Sequence, residues 1–310
     1  MLGFGKVGIT GAVLFLMVSP LPAADTVRAT TIRVAGIYLS PDASSSKLAD
    51  VDRGREVIFL GTSGEWVHVE ANLTEERTVT GWMQNKGIVQ ATTPDGDKIL
   101  FGEGADAEDQ ASQRNGRRFA AQDAMRLYGD IGELFPQSPY AAEGLYRSAD
   151  IRWQIEKADV MSLPSAKEQD AFLRRGMNEE YFKKLIKKYP GTKWANLAAF
   201  ELIDNKLCGD WQGQSKCPMK EAEIYEKYAT EYPQSPAAPQ ALFQAAYRWS
   251  ALIEIYKSEE QLKKSEEARG RAIAMAQKAI AQAGQSDWGP RAQRLLYMVQ
   301  QGIPTYGSGG

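Results

Sequence analysis

"LFPQSPYAAEGLY" (residues 134–146) and "EYPQSPAAPQALF" (231–243) are near-copies of one phrase in two distant parts of the chain. A looser third version, "KYPGTKWANLAAF", occupies residues 188–200. In each, an aromatic residue stands eight before the proline: Tyr128, Phe182 and Tyr225 before Pro136, Pro190 and Pro233. An alanine follows five after it (Ala141, Ala195, Ala238) and a large aromatic at ten (Tyr146, Phe200, Phe243). Proline has no N–H to continue a helix and biases the residue before it away from helical backbone. Ser138, Thr192 and Ser235 are placed to cap a following helix, with Pro139 and Pro236 at its first position, where a missing N–H costs nothing. Each phrase therefore predicts the turn of a helical hairpin, with the alanine letting its two helices approach. A weaker fourth copy has Ala292, Leu296 and Tyr297 after Trp288-Gly289-Pro290. Such self-similarity predicts a stacked helical solenoid.

The signal begins near residue 119; upstream of it the chain reads differently. Residues 28–92 contain short runs rich in β-branched and aromatic residues, "IRVAGIYL", "REVIFLG", "EWVHVEA" and "TVTGWMQ", separated by turn material. "GREVIFLGTSGEWVHVE" predicts two alternating strands joined at a glycine-containing turn. Residues 93–118, "TPDGDKILFGEGADAEDQASQRNGRR", are rich in Gly, Asp and Gln with little apolar periodicity. They read as a linker, where limited proteolysis should cut first. The layout is β then α, two domains in series.

Two resemblances follow from these residues. The order of Arg53-Gly54, Gly64-Glu65-Trp66 and Gly81-Trp82 resembles the bacterial SH3-like module, which implies a small, partly open barrel over residues 27–92. The repeats over residues 119–302 resemble tetratricopeptide repeats in the "YP-x-S-x-x-A" variant of cell-envelope proteins, with residues 303–310 as a flexible tail. Together they imply a chain that binds envelope partners.

At 310 residues, with a net charge of −2, 25% charged and 43% hydrophobic residues, the composition is that of an ordinary soluble protein. Nothing argues for a nucleic-acid partner. Lys6, the apolar run "VGITGAVLFLMVS" and the small residues of "PLPAAD" predict an export signal over residues 1–24. Its apolar run is shorter than the roughly 20 residues a spanning helix needs; an uncleaved anchor is the competing reading. Nothing later is long enough to span, so the exported chain is expected in the periplasm or outside the cell.

The only cysteines, Cys208 and Cys217 in "CGDWQGQSKC", predict a small disulfide loop in an oxidising compartment, on the connection between the second and third repeats. A metal site is the alternative, but two thiols without a histidine or carboxylate cluster are too few ligands for zinc. His68 is the sole histidine, so a Ser-His-Asp or Cys-His hydrolase lacks its usual base. No phosphate loop or dinucleotide fingerprint is present. The reading is therefore of no catalytic residue, no cofactor and no metal. Tyr38, Trp66 and Trp82 are the candidate ligand groove of the barrel. Lys183, Lys184, Lys187 and Lys188, repeating at three and four, form a candidate basic strip for an acidic partner or anionic polymer.

The resulting expectation is an exported, non-enzymatic scaffold for proteins, peptides or peptidoglycan-type wall polymers. The competing expectation is an accessory or targeting subunit of a cell-wall hydrolase or other envelope enzyme.

Overall fold

The computed structural model describes residues 27–74 and 76–306. The predicted export signal lies outside them. Seven strands come first: β1 Val27–Thr31, β2 Ala35–Tyr38, β3 Lys47–Val51, β4 Glu56–Ser63, β5 Trp66–Asn72, β6 Thr78–Gln84 and β7 Ile88–Gln90. Nine α-helices follow among the described residues: α1 Gly96–Ser112, α2 Ala120–Leu134, α3 Ala141–Ser162, α4 Glu180–Lys188, α5 Lys193–Glu201, α6 Lys216–Glu231, α7 Ala238–Ser258, α8 Leu262–Gln282 and α9 Trp288–Gln300. None of the described helices is long and apolar enough to cross a membrane.

The strands form one antiparallel sheet in the order β3-β2-β6-β5-β4-β1-β7. It is not closed, because the terminal strands β3 and β7 do not pair. β4 and β5 make the expected hairpin, with Ser63 opposite Trp66 and Gly64 at φ +58° in the turn. Alternation on β5 sends Val67, Val69 and Ala71 inward, where they are buried with Ile37, Val51, Val57 and Met83. Trp66, His68 and Glu70 take the opposite, half-buried face. Gly81 is forced by its neighbours: a Cβ there would stand 2.6 Å from the Ile37 side chain and 2.7 Å from the Tyr38 carbonyl oxygen. That close approach lets β2 pair with β6.

Residues 93–118 are no linker. Most of the segment is α1, whose buried stripe is Gly96, Leu100, Gly104 and Ala107. The spacing is helical, but small residues replace the large apolar ones that make a helix visible in sequence. They are small because aromatic rings lie against them: a Cβ on Gly96 would meet the Phe135 ring, and one on Gly104 would meet the Tyr128 ring at 2.8 Å. Polar bonds fix the same helix. Tyr128 donates to Glu108 at 2.7 Å, and Ser138 donates to Asp97 at 2.7 Å.

α1 and α2 also hold the sheet. Arg53, almost fully buried, pairs with Glu103 and Asp106 of α1 and donates to the Glu103 carbonyl at 2.8 Å. Gly54, at φ +72°, brings the strand connection so close to α2 that a Cβ would lie 3.0 Å from Arg126 Cβ. Arg126 in turn donates to the Arg53 carbonyl at 3.0 Å. The Arg53-Gly54 step is thus one of the points where the two halves join.

The remaining helices form four hairpins, α2/α3, α4/α5, α6/α7 and α8/α9. The repeated phrases are their turns. Of the three hydroxyls, only Thr192 caps its helix as predicted, its Oγ1 accepting from Ala195 at 3.2 Å. Ser138 Oγ accepts from the Tyr140 N–H at 3.0 Å and Ser235 Oγ from Ala237 at 3.2 Å within the turns. α3 and α7 begin later, at Ala141 and Ala238, so Pro139 and Pro236 precede the first helical position. Tyr128, Phe182, Tyr225 and the three turn alanines are all buried. Burying each of these rings contributes about 1.5–3 kcal/mol. The fourth turn uses Gly284 at φ +56° instead of proline.

Neighbouring hairpins meet through aromatics: Tyr146 stacks near Phe182 and Trp194, and Phe200 near Tyr225 and Tyr228. The tail is also corrected in part. Thr305 hydrogen-bonds Ser250 of α7 at 2.7 Å, and the Tyr306 ring lies 5.3 Å from that of Trp211, so the chain through Tyr306 is docked. Residues 307–310 lie outside the description.

Candidate functional site

Pairing in the sheet gathers the aromatic residues on one face. His68 is directly opposite Trp82 across β5 and β6, and Tyr38 is opposite Trp82 across β2 and β6. Paired residues share a face, so three strands deliver Tyr38, Trp66, His68 and Trp82 to one patch. Tyr38 meets Trp66 edge-on with ring centroids 5.6 Å apart, and His68 lies over Trp82 at 4.9 Å. Gly36 makes room for this: a Cβ there would come within 2.8 Å of the Tyr38 ring. All four rings are half-buried: they pack on one another and keep part of their surface exposed.

The patch brings together the predicted Tyr38, Trp66 and Trp82 and adds His68. Chemically it is a platform of π faces. It suits flat or apolar groups, sugar C–H faces and cations, at little side-chain entropy cost. His68 makes no hydrogen bond with a carboxylate, serine or cysteine among the described residues. Among those residues no group of three or more His, Cys, Asp or Glu stands where it would hold a metal ion.

The lysine strip is on α4 as predicted, but much of it is engaged within the chain. Lys183 pairs with Glu179 at 2.7 Å and Lys184 with Glu133 of α2 at 2.8 Å. Lys188 donates to the Gly132 carbonyl at 2.7 Å, near the C-terminal end of α2 where the helix dipole is negative. Lys184 and Lys188 therefore fasten α4 to α2. Lys187 has no ion pair among the described residues.

Cys208 and Cys217 are joined, with Cα atoms 6.1 Å apart, between α5 and α6. The loop they close is anchored at its base by Glu221, which accepts from the Cys208 N–H at 2.8 Å and from Arg248 Nε at 2.7 Å. Both side chains are buried, so this is an internal ion pair, and Arg248 also lies over the Tyr225 ring at 4.5 Å. Trp211 within the loop is a residue the sequence reading passed over. It forms one wall of a cleft of about 930 Å³ with Tyr247 of α7, Tyr306, and Leu163 and Pro164 from the segment after α3. The signal was an aromatic residue inside a stapled loop; its partners come from distant segments.

No family model matches the chain, and no curated protein matches it. Among solved structures, a DHF58 filament is 15% identical, over 66% of this chain and 91% of that one, at a TM-score of 0.23. A DHF79 filament is 14% identical, over 65% and 99%, at a TM-score of 0.19. Neither likeness carries an argument about this chain.

Proposed function

We propose that the chain is an exported, non-enzymatic adaptor of the cell envelope, with an SH3-like sheet and a tetratricopeptide-like helical array as two binding surfaces. The observation that carries this reading is the patch of Tyr38, Trp66, His68 and Trp82: four half-buried rings on one side of a sheet, with no nucleophile–base pair beside them among the described residues. A surface of this kind binds and does not transform. The order of open sheet, then helical hairpins with a serine or threonine hydroxyl bonded to the backbone in three of the turns, supports the two family readings. The disulfide supports an oxidising compartment. Protein, peptide or wall-polymer partners fit a face of this size, and two linked surfaces raise affinity through effective concentration.

The test is recovery of envelope components on immobilised full-length protein and on its Tyr38→Ala/Trp82→Ala variant, with matched circular dichroism. The reading expects a component that the variant retains at least fivefold less. Equal recovery by both proteins, or turnover of purified peptidoglycan by the unmodified chain, would overturn it.

A further inference from the structure

The end of α9 is built to send the chain back over α7. Gly302 adopts φ +68°, its N–H reaches the Val299 carbonyl at 3.2 Å, and the Ile303 N–H reaches the Met298 carbonyl at 2.9 Å. This reciprocal pair of bonds is the Schellman stop, and Pro304 then excludes further helix. The strap Pro304–Tyr306 crosses α7 beside Tyr247. The Thr305–Ser250 bond and the Tyr306–Trp211 stack hold it there.

The strap lies between two cavities that share Tyr247 as a wall. One is the cleft of about 930 Å³ that Tyr306 and Trp211 line; the other, of about 330 Å³, is lined by Pro304, Thr305, Arg291 and Arg294. Neither Arg291 nor Arg294 has an ion pair among the described residues, although Arg291 lies over the Trp288 ring at 5.1 Å. Pro304 faces that basic cavity without offering it a charge.

We propose that Pro304–Tyr306 is a built-in occupant of a peptide groove, and that the groove's external ligand is an extended peptide with an acidic residue two positions before an aromatic one. The aromatic residue takes the place of Tyr306 against Trp211 and Tyr247. The acidic residue takes the place of Pro304 and meets Arg291 and Arg294. Ligand residues beyond the aromatic enter the larger cleft that Tyr306 lines. A ligand of this kind displaces the strap, so the strap sets the threshold for binding. The proposal rests on the helical half being a binding surface; it is independent of the aromatic sheet face.

The probe is a fluorescein-labelled peptide, Gln-Gly-Ile-Glu-Thr-Tyr, the strap sequence with glutamate in the place of Pro304. Fluorescence anisotropy is measured on the full chain and on Thr305→Ala/Tyr306→Ala, which releases the strap. Loss of cis competition should make the released variant bind about tenfold or more tightly than the unmodified chain. Adding the exposed charge reversals Arg291→Glu and Arg294→Glu should abolish this binding and create preference for the lysine version of the peptide. Binding to neither protein, equal binding to both, or indifference to the charge reversal would overturn the proposal. A negative result here with positive recovery on the sheet face would remove this groove and leave the adaptor reading standing.

Discussion

Thr30 on β1 donates a 2.6 Å hydrogen bond to Asp130 on α2, joining the sheet to the helical array through a buried carboxyl group. Burial pushes Asp130 up to about 7; Glu56 and Glu133 add to the rise, while the Thr30 bond and Arg28 oppose it. An unfolded aspartate titrates near 3.9. Between about pH 4 and 7 the folded chain therefore holds the extra proton, and stability falls as pH rises across that window. The melting temperature should be higher at pH 5 than at pH 8. Asp130→Asn keeps an acceptor for Thr30 and removes the charge. It should stabilise the chain at pH 8 by about 1–2 kcal/mol and flatten the pH slope. Some slope should remain, because burial also raises Glu201 to about 7 and raises Asp150. An unchanged slope in the variant would show that Asp130 is not its source.

Glu221 is the keystone of the disulfide loop. Glu221→Ala removes the acceptor of the Cys208 N–H and leaves Arg248 buried without its counter-charge. Leaving one partner of a buried pair costs about 3–5 kcal/mol, measured by urea denaturation. Lys184→Ala, which loses an exposed pair with Glu133, should cost less than about 1 kcal/mol.

The turn serines differ in what they hold. Ser235 is buried, accepts from the Ala237 N–H within the turn and shares a 2.6 Å hydrogen bond with the Tyr228 hydroxyl. Ser235→Ala should cost about 2 kcal/mol, combining two hydrogen bonds lost at a buried site, while the Tyr228 hydroxyl keeps its 2.8 Å bond to the Asn196 carbonyl. Thr192→Ala, which loses a cap at a more open site, should cost about 1 kcal/mol. Equal costs would mean that the Ser235–Tyr228 bond adds nothing to stability.

With α1 packed on both halves, residues 93–118 should resist limited proteolysis. First cuts should fall between residues 163 and 179, where the chain has only short 3-10 turns and Phe172 is 82% exposed. Mass spectrometry of early fragments checks this. A first cut near residue 105 would contradict the packing of α1.

The contrast between α1 and the turns shows what the sequence makes legible. Pro136, Ser138, Ala141 and their copies act locally: proline stops a helix and a hydroxyl bonds the backbone of the turn, so their meaning needs no neighbour. Strand alternation at Trp66–Ala71 is local in the same way, whereas the aromatic patch also needs β2 and β6 to pair so that Tyr38 and Trp82 join it. α1 was hidden because its buried face is made of Gly96, Gly104 and Ala107, which are small only because Phe135 and Tyr128 lie against them. Arg53-Gly54 was legible as a turn; its contact with α1 and α2 depends on residues far along the chain. The same holds for the cleft around Trp211, Tyr247 and Tyr306, whose walls come from separate segments.

The most direct test of the adaptor reading is photo-crosslinking in intact cells from a residue at the edge of the aromatic patch. A photoreactive amino acid replaces Gln84, which is exposed and lies opposite Trp66 in the sheet. The account predicts a discrete crosslinked adduct that disappears when Tyr38→Ala and Trp82→Ala are added and the fold is retained. No adduct from Gln84, or an adduct that persists without the two rings, would contradict it.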